Sequence, residues 1–287
     1  MWENLDRPAL DGRAIARALV DGPRGTWSKV DVVARTGSTN ADLLAVASTA
    51  PDRSALIADA QDAGRGRHSR PFTAPPRSQV IVSALASFPG IAPASVGWLP
   101  LLTGIVVVDV LRSVSEVDAV LKWPNDVLLR GNSGTGYVGG KVAGILVEVA
   151  STHPVVRAVA GVGINVTLTE DELPVPTATS LQLAGATVID RGTLVRAFLR
   201  GMGSALDDWR DCGWDTESIA DLYRSRCDTL GRRVRVTMPG DTTLEGTATD
   251  IDEHGRVVIV PESGDRSPVA ISAGDVTHLR AVDVGQS

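Results

Sequence analysis

Two stretches of this chain concentrate groups able to handle an anion. Lys122-Trp123-Pro124-Asn125-Asp126 sets a cation, an amide and a carboxylate within five residues. A segment with five glycines, 131–140, follows, and then Lys141 opens the apolar run Val142-Ala143-Gly144-Ile145-Leu146-Val147, closed by Glu148. Upstream, Gln61-Asp62-Ala63-Gly64-Arg65-Gly66-Arg67-His68-Ser69-Arg70 places three arginines among small residues. Guanidinium groups bind phosphate or carboxylate oxygens bidentately, which an ammonium cannot do. Glycines let backbone N–H groups come close to such a ligand. The chemistry implied is charge neutralisation around an anion held at several points.

Each cluster also has an ordinary structural reading. The arginine loop is equally a solvated basic loop, and Asn125-Asp126 near the end of a strand is equally a turn that satisfies its own backbone. Lys141 at a strand mouth is equally a lysine pointing into water. Ser38-Thr39-Asn40 offers N–H groups and hydroxyls to an anion at a helix start, or simply caps that helix. Gly161-Val162-Gly163-Ile164-Asn165 brings backbone against a ligand, or marks a bulge.

The elements that must position these groups follow from periodicity and punctuation. Residues 13–20 read as a short helix and 29–34 as a strand. Thr39 with Asp42 three residues on fits a capping box, so a helix is expected from there to residue 50. Apolar runs at 55–60 and 79–86 flank the long loop 62–78, and a loop of that length in a compact domain is usually functional. Residues 96–114 are apolar enough for a buried helix. Residues 119–122, 141–149 and 155–166 read as strands covered on both faces. Residues 193–209 and 216–227 read as amphipathic helices. After Leu230 five short strand-like runs with turn residues between them predict a small β-domain. The expected division is 1–229 and 230–287.

Composition narrows the function. The 287 residues are 43% hydrophobic, enough for a sizeable core, and the net charge of −6 gives no global attraction for nucleic acid. Cys212 and Cys227 have no metal-ligand spacing and fit a reducing compartment. No secretory signal pattern opens the chain, and the apolar run 96–108 is too short to span a bilayer and contains Pro100 and Gly104. A cytoplasmic protein without membrane attachment is expected. A P-loop ending at Gly140-Lys141 is excluded by Thr135 and Val142, and no GxGxxG opens a helix after a strand. No HExxH or GxSxG occurs, so neither a catalytic zinc nor a serine nucleophile is expected.

The order and spacing of these clusters, from Ser38-Thr39-Asn40 through Gly64-Arg65-Gly66-Arg67, Lys122 to Asp126, Gly140 to Glu148 and Gly161 to Val166, resemble the biotin protein ligases over roughly residues 30–280. The resemblance implies a mixed β-sheet catalytic domain related to class II aminoacyl-tRNA synthetases, followed by an SH3-like β-domain. It implies a two-step ligase: biotin and ATP, with Mg2+, give biotinyl-5′-AMP, and the biotinyl group then passes to a lysine of a biotin carboxyl carrier domain of an acyl-CoA carboxylase. By position, Ser38, Thr39, Asn40, Gln61, Arg65, Gly66, Arg67 and Lys141 would bind biotin, with Arg67 and Lys141 catalytic. Arg70, Trp123, Asn125, Asp126 and Asn165 would surround the adenylate. Mg2+ would arrive with ATP, near Asp126, without a protein site of its own. His68-Ser69 stand where Arg-Gly is common in this loop, and 131–140 is longer than in many relatives. Fewer than about forty residues precede the pattern, too few for the winged helix-turn-helix that some relatives use as repressors. A lipoate or octanoate ligase, a biotin-responsive DNA-binding regulator and a non-catalytic biotin sensor are the competing readings.

Overall fold

The computed structural model describes residues 7–21, 26–132, 137–237, 242–272 and 275–278. In chain order the elements are α1 (Gly12–Leu19), β1 (Lys29–Val33), α2 (Thr39–Val46), β2 (Ser54–Ala58), β3 (Gln79–Phe88), α3 (Leu99–Ser115), β4 (Ala119–Lys122), β5 (Asp126–Asn132), β6 (Tyr137–Ser151), β7 (Val156–Asn165), α4 (Arg191–Asp211) and α5 (Glu217–Arg226). The strands β8 (Arg233–Thr237), β9 (Thr243–Ile251), β10 (Val257–Pro261), β11 (Val269–Ile271) and β12 (Asp275–His278) follow. The first seven strands form one mixed sheet in the order β1-β2-β3-β7-β6-β5-β4, parallel between β1 and β2 and antiparallel elsewhere. The last five form a separate antiparallel sheet, β11-β10-β9-β8-β12. This is the mixed α/β fold with a second, smaller β unit that the sequence implied.

The large sheet has two chemically different faces, because side chains alternate along a strand. Val80, Val82, Ala84, Ala86 and Phe88 of β3, with Ala158, Ala160, Val162 and Ile164 of β7, point into the main core beneath α3 and α4. On the other face, Leu85 and Val159 pack with Leu43 and Ala47 of α2 and its C-terminal end in a small separate cluster. α2 thus covers only one end of that face. At the uncovered end lie Gln79, Ile81 and Ser83 of β3 and Gly161, Gly163 and Asn165 of β7, and there a cavity opens.

The apolar stretch Pro93–Ser115 forms a 3-10 turn and α3, and by length and composition it could cross a membrane. Length alone therefore does not settle the point made from residues 96–108. Burial does: α3 packs across β4 to β7 and against α4 and α5 as a core helix, and a Cβ on Gly104 would lie 2.8 Å from Leu121.

Three local expectations are corrected. The cap of α2 is Ser38, whose hydroxyl accepts from the Ala41 N–H at 3.4 Å, while Asp42 instead accepts from the Thr36 hydroxyl. Asn125 lies in the turn that follows β4, as the turn reading had it, but Asp126 opens a further strand, β5, which was not anticipated because its Leu128-Leu129-Arg130-Gly131 has no β-branched run. β6 begins at Tyr137, so Lys141 stands inside the strand rather than at its mouth. Residues 133–136 of the glycine-rich segment lie outside the described residues.

The small sheet docks through indole N–H groups, with Trp98 donating to the Glu253 carbonyl and Trp123 to the Gly255 carbonyl, each at 3.0 Å. Beside this seam Asp228 accepts from Arg130 and Arg232, each at 2.9 Å. Burial pushes its carboxyl up, but the hydrogen bonds from Arg232 and Arg130 outweigh this and hold it below the usual carboxylate range. A carboxyl depressed in the fold contributes stability above its unfolded pKa of about 3.9, and that contribution fades as pH falls through the folded value. Asp228→Asn is expected to cost about 1–3 kcal/mol at neutral pH and to shrink the acid-side loss of stability, as read by urea unfolding at successive pH values. An unchanged acid limb would contradict this assignment.

Candidate active site

The cavity, about 590 Å3, brings together segments distant in the chain. Its lining includes Ser38, Thr39, Asn40, Gln61, Arg65, Gly66, Arg67, Arg70, Trp123, Asn125, Asp126, Lys141 and Asn165, so every site residue expected from the sequence borders it.

At one end the groups are neutral and polar. The Thr39 N–H and hydroxyl both donate to Gln61 Oε1, at 2.8 and 3.0 Å, so this helix N-terminus is already engaged by a side chain. The Ser83 hydroxyl sits between Asn40 Oδ1 at 2.6 Å and Thr39 Oγ1 at 2.7 Å. Asn40 Nδ2 donates to the Leu146 carbonyl at 3.1 Å and to Glu148 at 2.8 Å, and Glu148 also lies 3.9 Å from Arg65. The floor is Gly161 and Gly163, where added methyl groups would fall 2.1 Å from Asn40 Oδ1 and 2.2 Å from the Phe72 ring. Glycine at these two positions is thus a matter of space, and no bulge is involved, since β3 and β7 pair in continuous register.

At the other end the groups are charged. The β5–β6 register shifts between Val127 and Leu128, so that Val142 and Ala143 are both buried while Lys141 and Gly144 face the cavity together. A bulge re-aims a side chain in just this manner. Lys141 Nζ consequently lies 2.6 Å from Asp126 Oδ1 and within 3.3 Å of where a Gly144 methyl would be. Asn125 is clamped to β6 by Nδ2 to the Ile145 carbonyl and by its own carbonyl to the Ile145 N–H, both at 3.0 Å, and its Oδ1 meets Arg67 at 3.5 Å. Asn165 accepts from Gln79 at 2.8 Å and donates to the Thr179 carbonyl at 2.9 Å. Trp123 is 2% exposed and its N–H is spent on Gly255, so its ring is committed to the seam between the sheets although the residue borders the cavity.

The arginine loop folds back on itself over this floor. Arg65 bridges Pro71, Gly66 N–H donates to the Arg70 carbonyl and Phe72 N–H to the Gly64 carbonyl, both at 2.8 Å. A side chain on Gly64 would collide with the Phe72 carbonyl at 2.2 Å. His68 takes φ 55°, the left-handed region that histidine tolerates better than branched residues.

Sequence reasoning missed Ser83, Gln79, Ile81, Phe72, the segment 174–178 and Val276 of the small sheet. Gln79 and Ser83, two polar residues four apart in an otherwise apolar strand, carried a usable signal. Phe72 and Val276 carried none, since only the fold brings them to the cavity. Burial pushes the Cys227 thiol up, away from the thiolate form that a nucleophile needs. Among the described residues no cluster of three or more His, Cys, Asp or Glu is placed to hold a metal ion.

Comparison with known proteins agrees with this architecture. The profile of the Biotin/lipoate A/B protein ligase family matches residues 32–165, and that of the Biotin protein ligase C terminal domain matches residues 229–279. The biotin–[acetyl-CoA-carboxylase] ligase of Mycobacterium tuberculosis is 43% identical over 279 residues, covering 96% of this chain and 97% of the relative. The bifunctional ligase/repressor BirA of Escherichia coli is 32% identical over 229 residues, covering 77% of this chain and 66% of BirA. The biotin protein ligase of Aquifex aeolicus in complex with biotin and ATP shares the fold, with a TM-score of 0.69 at 24% identity over 89% of this chain and all of that one. With a relative this similar along nearly its whole length, the chain belongs to the biotin protein ligases of the biotin/lipoate A/B protein ligase family.

Proposed function

We propose that this protein activates biotin with ATP to biotinyl-5′-AMP and transfers the biotinyl group to a lysine of a biotin carboxyl carrier domain. The observation that carries this reading is one cavity with two unlike ends: a neutral polar pocket over a glycine floor, and a cluster of cations beside a carboxylate. A cyclic urea offers two N–H donors and a carbonyl acceptor. Ser38, Thr39, Asn40 and Gln61, joined by Ser83, suit it, and the flat floor of Gly161 and Gly163 accommodates a fused ring. The valeryl carboxylate then points towards Lys141.

In the first step a carboxylate oxygen attacks the α-phosphorus, the bond from that phosphorus to the bridging oxygen breaks, and pyrophosphate leaves. Two anions must approach each other, so positioned cations lower the barrier. Lys141 and Arg67 are assigned this role, with Arg65 and Gly66 closing the loop over biotin. Arg70, Trp123, Asn125, Asp126 and Asn165 are assigned to the nucleotide end. Mg2+ bound to the triphosphate would offset its charge. Asp126 lines the cavity, and one carboxylate with water and phosphate oxygens matches how magnesium is usually held. In the second step the acceptor amine attacks the acyl carbon, AMP departs with its bonding pair, and the amine loses its proton. The folded arginine loop excludes water from the reactive anhydride until then.

The carrier belongs to an acyl-CoA carboxylase in this reading, supported by the name of the Mycobacterium tuberculosis relative. The net charge of −6 argues against nucleic acid as a partner, and a reaction that consumes ATP fits a cytoplasmic location. The division near residue 230 into a catalytic part and a C-terminal part is supported by the second sheet, which begins at Arg233.

Labelled biotin, MgATP and a candidate carrier domain should give a carrier heavier by one biotinyl group at one lysine. Transfer of lipoate or octanoate in place of biotin would overturn the assignment. Lys141→Ala is expected to lower biotin-dependent ATP–pyrophosphate exchange about 10²- to 10³-fold, the scale for losing one preorganised electrostatic partner; exchange at the wild-type rate would remove Lys141 from the mechanism. Gly161→Ala drives a methyl into Asn40. It is expected to weaken biotin binding about 5- to 150-fold, matching an overpacking cost of about 1–3 kcal/mol. Calorimetric titration showing wild-type affinity would mean that the ring does not lie on this floor.

A further inference from the structure

The residues just before α1 cross the molecule as a strap. Arg7, with a side chain 10% exposed, donates to both carboxylate oxygens of Glu172, at 3.0 and 2.5 Å, and to the Thr167 carbonyl at 2.6 Å. The Pro8 carbonyl accepts from buried Arg191 at 2.5 Å, and Arg191 in turn pairs with buried Asp59 at 2.8 Å. The Leu10 N–H reaches the same Asp59 carboxylate at 3.4 Å.

What Arg7 grips is the excursion 166–181 that leaves β7. Glu172 ends a 3-10 turn, Glu170–Glu172, and its carboxylate also accepts from the Thr169 N–H at 3.0 Å. The hydrogen bond from Arg7 is the largest reason that this carboxyl is held below the usual carboxylate range. The foot of the excursion is pinned separately, by Ser180 to the Leu168 carbonyl at 2.7 Å and Leu181 N–H to the Asn165 carbonyl at 3.1 Å. Between these two anchors runs the limb Pro174-Val175-Pro176-Thr177-Ala178, which lines the cavity. It lies along Lys141: Lys141 N–H donates to the Thr177 carbonyl at 2.8 Å, and Thr179 N–H to the Lys141 carbonyl at 2.9 Å.

Two prolines remove two N–H groups from this limb and stiffen it, so it is not paired as a full strand and its placement is set by its ends. One end is tied to the sheet. The other is tied through Glu172 to a segment more than 160 residues away in sequence. Arg7 itself does not line the cavity. We infer that Arg7 and Glu172 form a latch that positions the cavity wall 173–179 against Lys141, making both of them positioning residues for the nucleotide end of the site. This rests on the biotin-activation reading above for its kinetic consequence, though not for its geometry.

The test uses the full chain with Arg7→Ala, Glu172→Gln and the charge-swapped pair Arg7→Glu with Glu172→Arg. Biotin-dependent ATP–pyrophosphate exchange is expected to show KM for ATP raised about 5- to 10-fold in either single variant, the scale for one charge-assisted contact. Tm should stay near wild type, and the swapped pair should recover at least half of the loss. Amide exchange at Lys141 and Thr179 should accelerate in the single variants, while the core amides of β3 stay protected. Unchanged KM for ATP would overturn the latch, as would equal loss for both substrates with a fall in Tm. If Arg7→Ala does not fold, Glu172→Gln, which preserves the shape of the turn, decides alone. A wild-type protein that exchanges no pyrophosphate would refute the activation reading, and the amide exchange would still decide the latch.

Discussion

The site depends on one constraint: a single sheet must serve two solvents. β3, β6 and β7 place aliphatic side chains on one face and, at the end that α2 leaves uncovered, mostly hydroxyls, amides and bare backbone on the other, and the two faces are a strand's thickness apart. The aliphatic face is sealed by α3 and α4, which keeps the strands from shifting in register. A slip of one residue would send Val162 and Ile164 into the cavity and put Gly161 and Gly163 in the core. The precision of a binding floor built from glycine is therefore borrowed from packing on the far side.

The charged end uses the same sheet differently. Regular alternation would put Lys141 and Gly144 on opposite faces, and the bulge against β5 puts them on one. Lys141 then meets Asp126, and Arg65 meets Glu148, so these cations are matched to nearby carboxylates rather than left to repel one another. Such partly exposed pairs are individually weak. Weakness suits the function proposed above, in which a triphosphate or carboxylate bringing more charge would displace them at little cost.

The seams around the cavity are polar and specific where the core is greasy and general. Indole N–H groups of Trp98 and Trp123 tie the small sheet to the large one, and Val276 from that small sheet reaches the cavity. The strap at Arg7 ties a third region to the wall beside Lys141. The site is thus a meeting point of parts held by hydrogen bonds to carbonyls and carboxylates, which fix direction as well as distance.

Much of this was legible in the residues. The strands at β3, β4 and β7, the helices α3 to α5 and the five short strands after Leu230 follow from runs and punctuation, and all the expected site residues border one cavity. The sequence by itself determined which groups were available: cations on a glycine loop, an amide–carboxylate pair, glycines alternating with valine and isoleucine. It did not reveal β5, which residue of Ser38-Thr39-Asn40 caps α2, the partners of Lys141, or the arrival of Phe72, Arg7 and Val276 from far along the chain. Those outcomes are tertiary because register, bulges and inter-element hydrogen bonds are chosen by the packing of the whole sheet. A local window records what a residue is able to do, and only its neighbours across the fold decide what it faces.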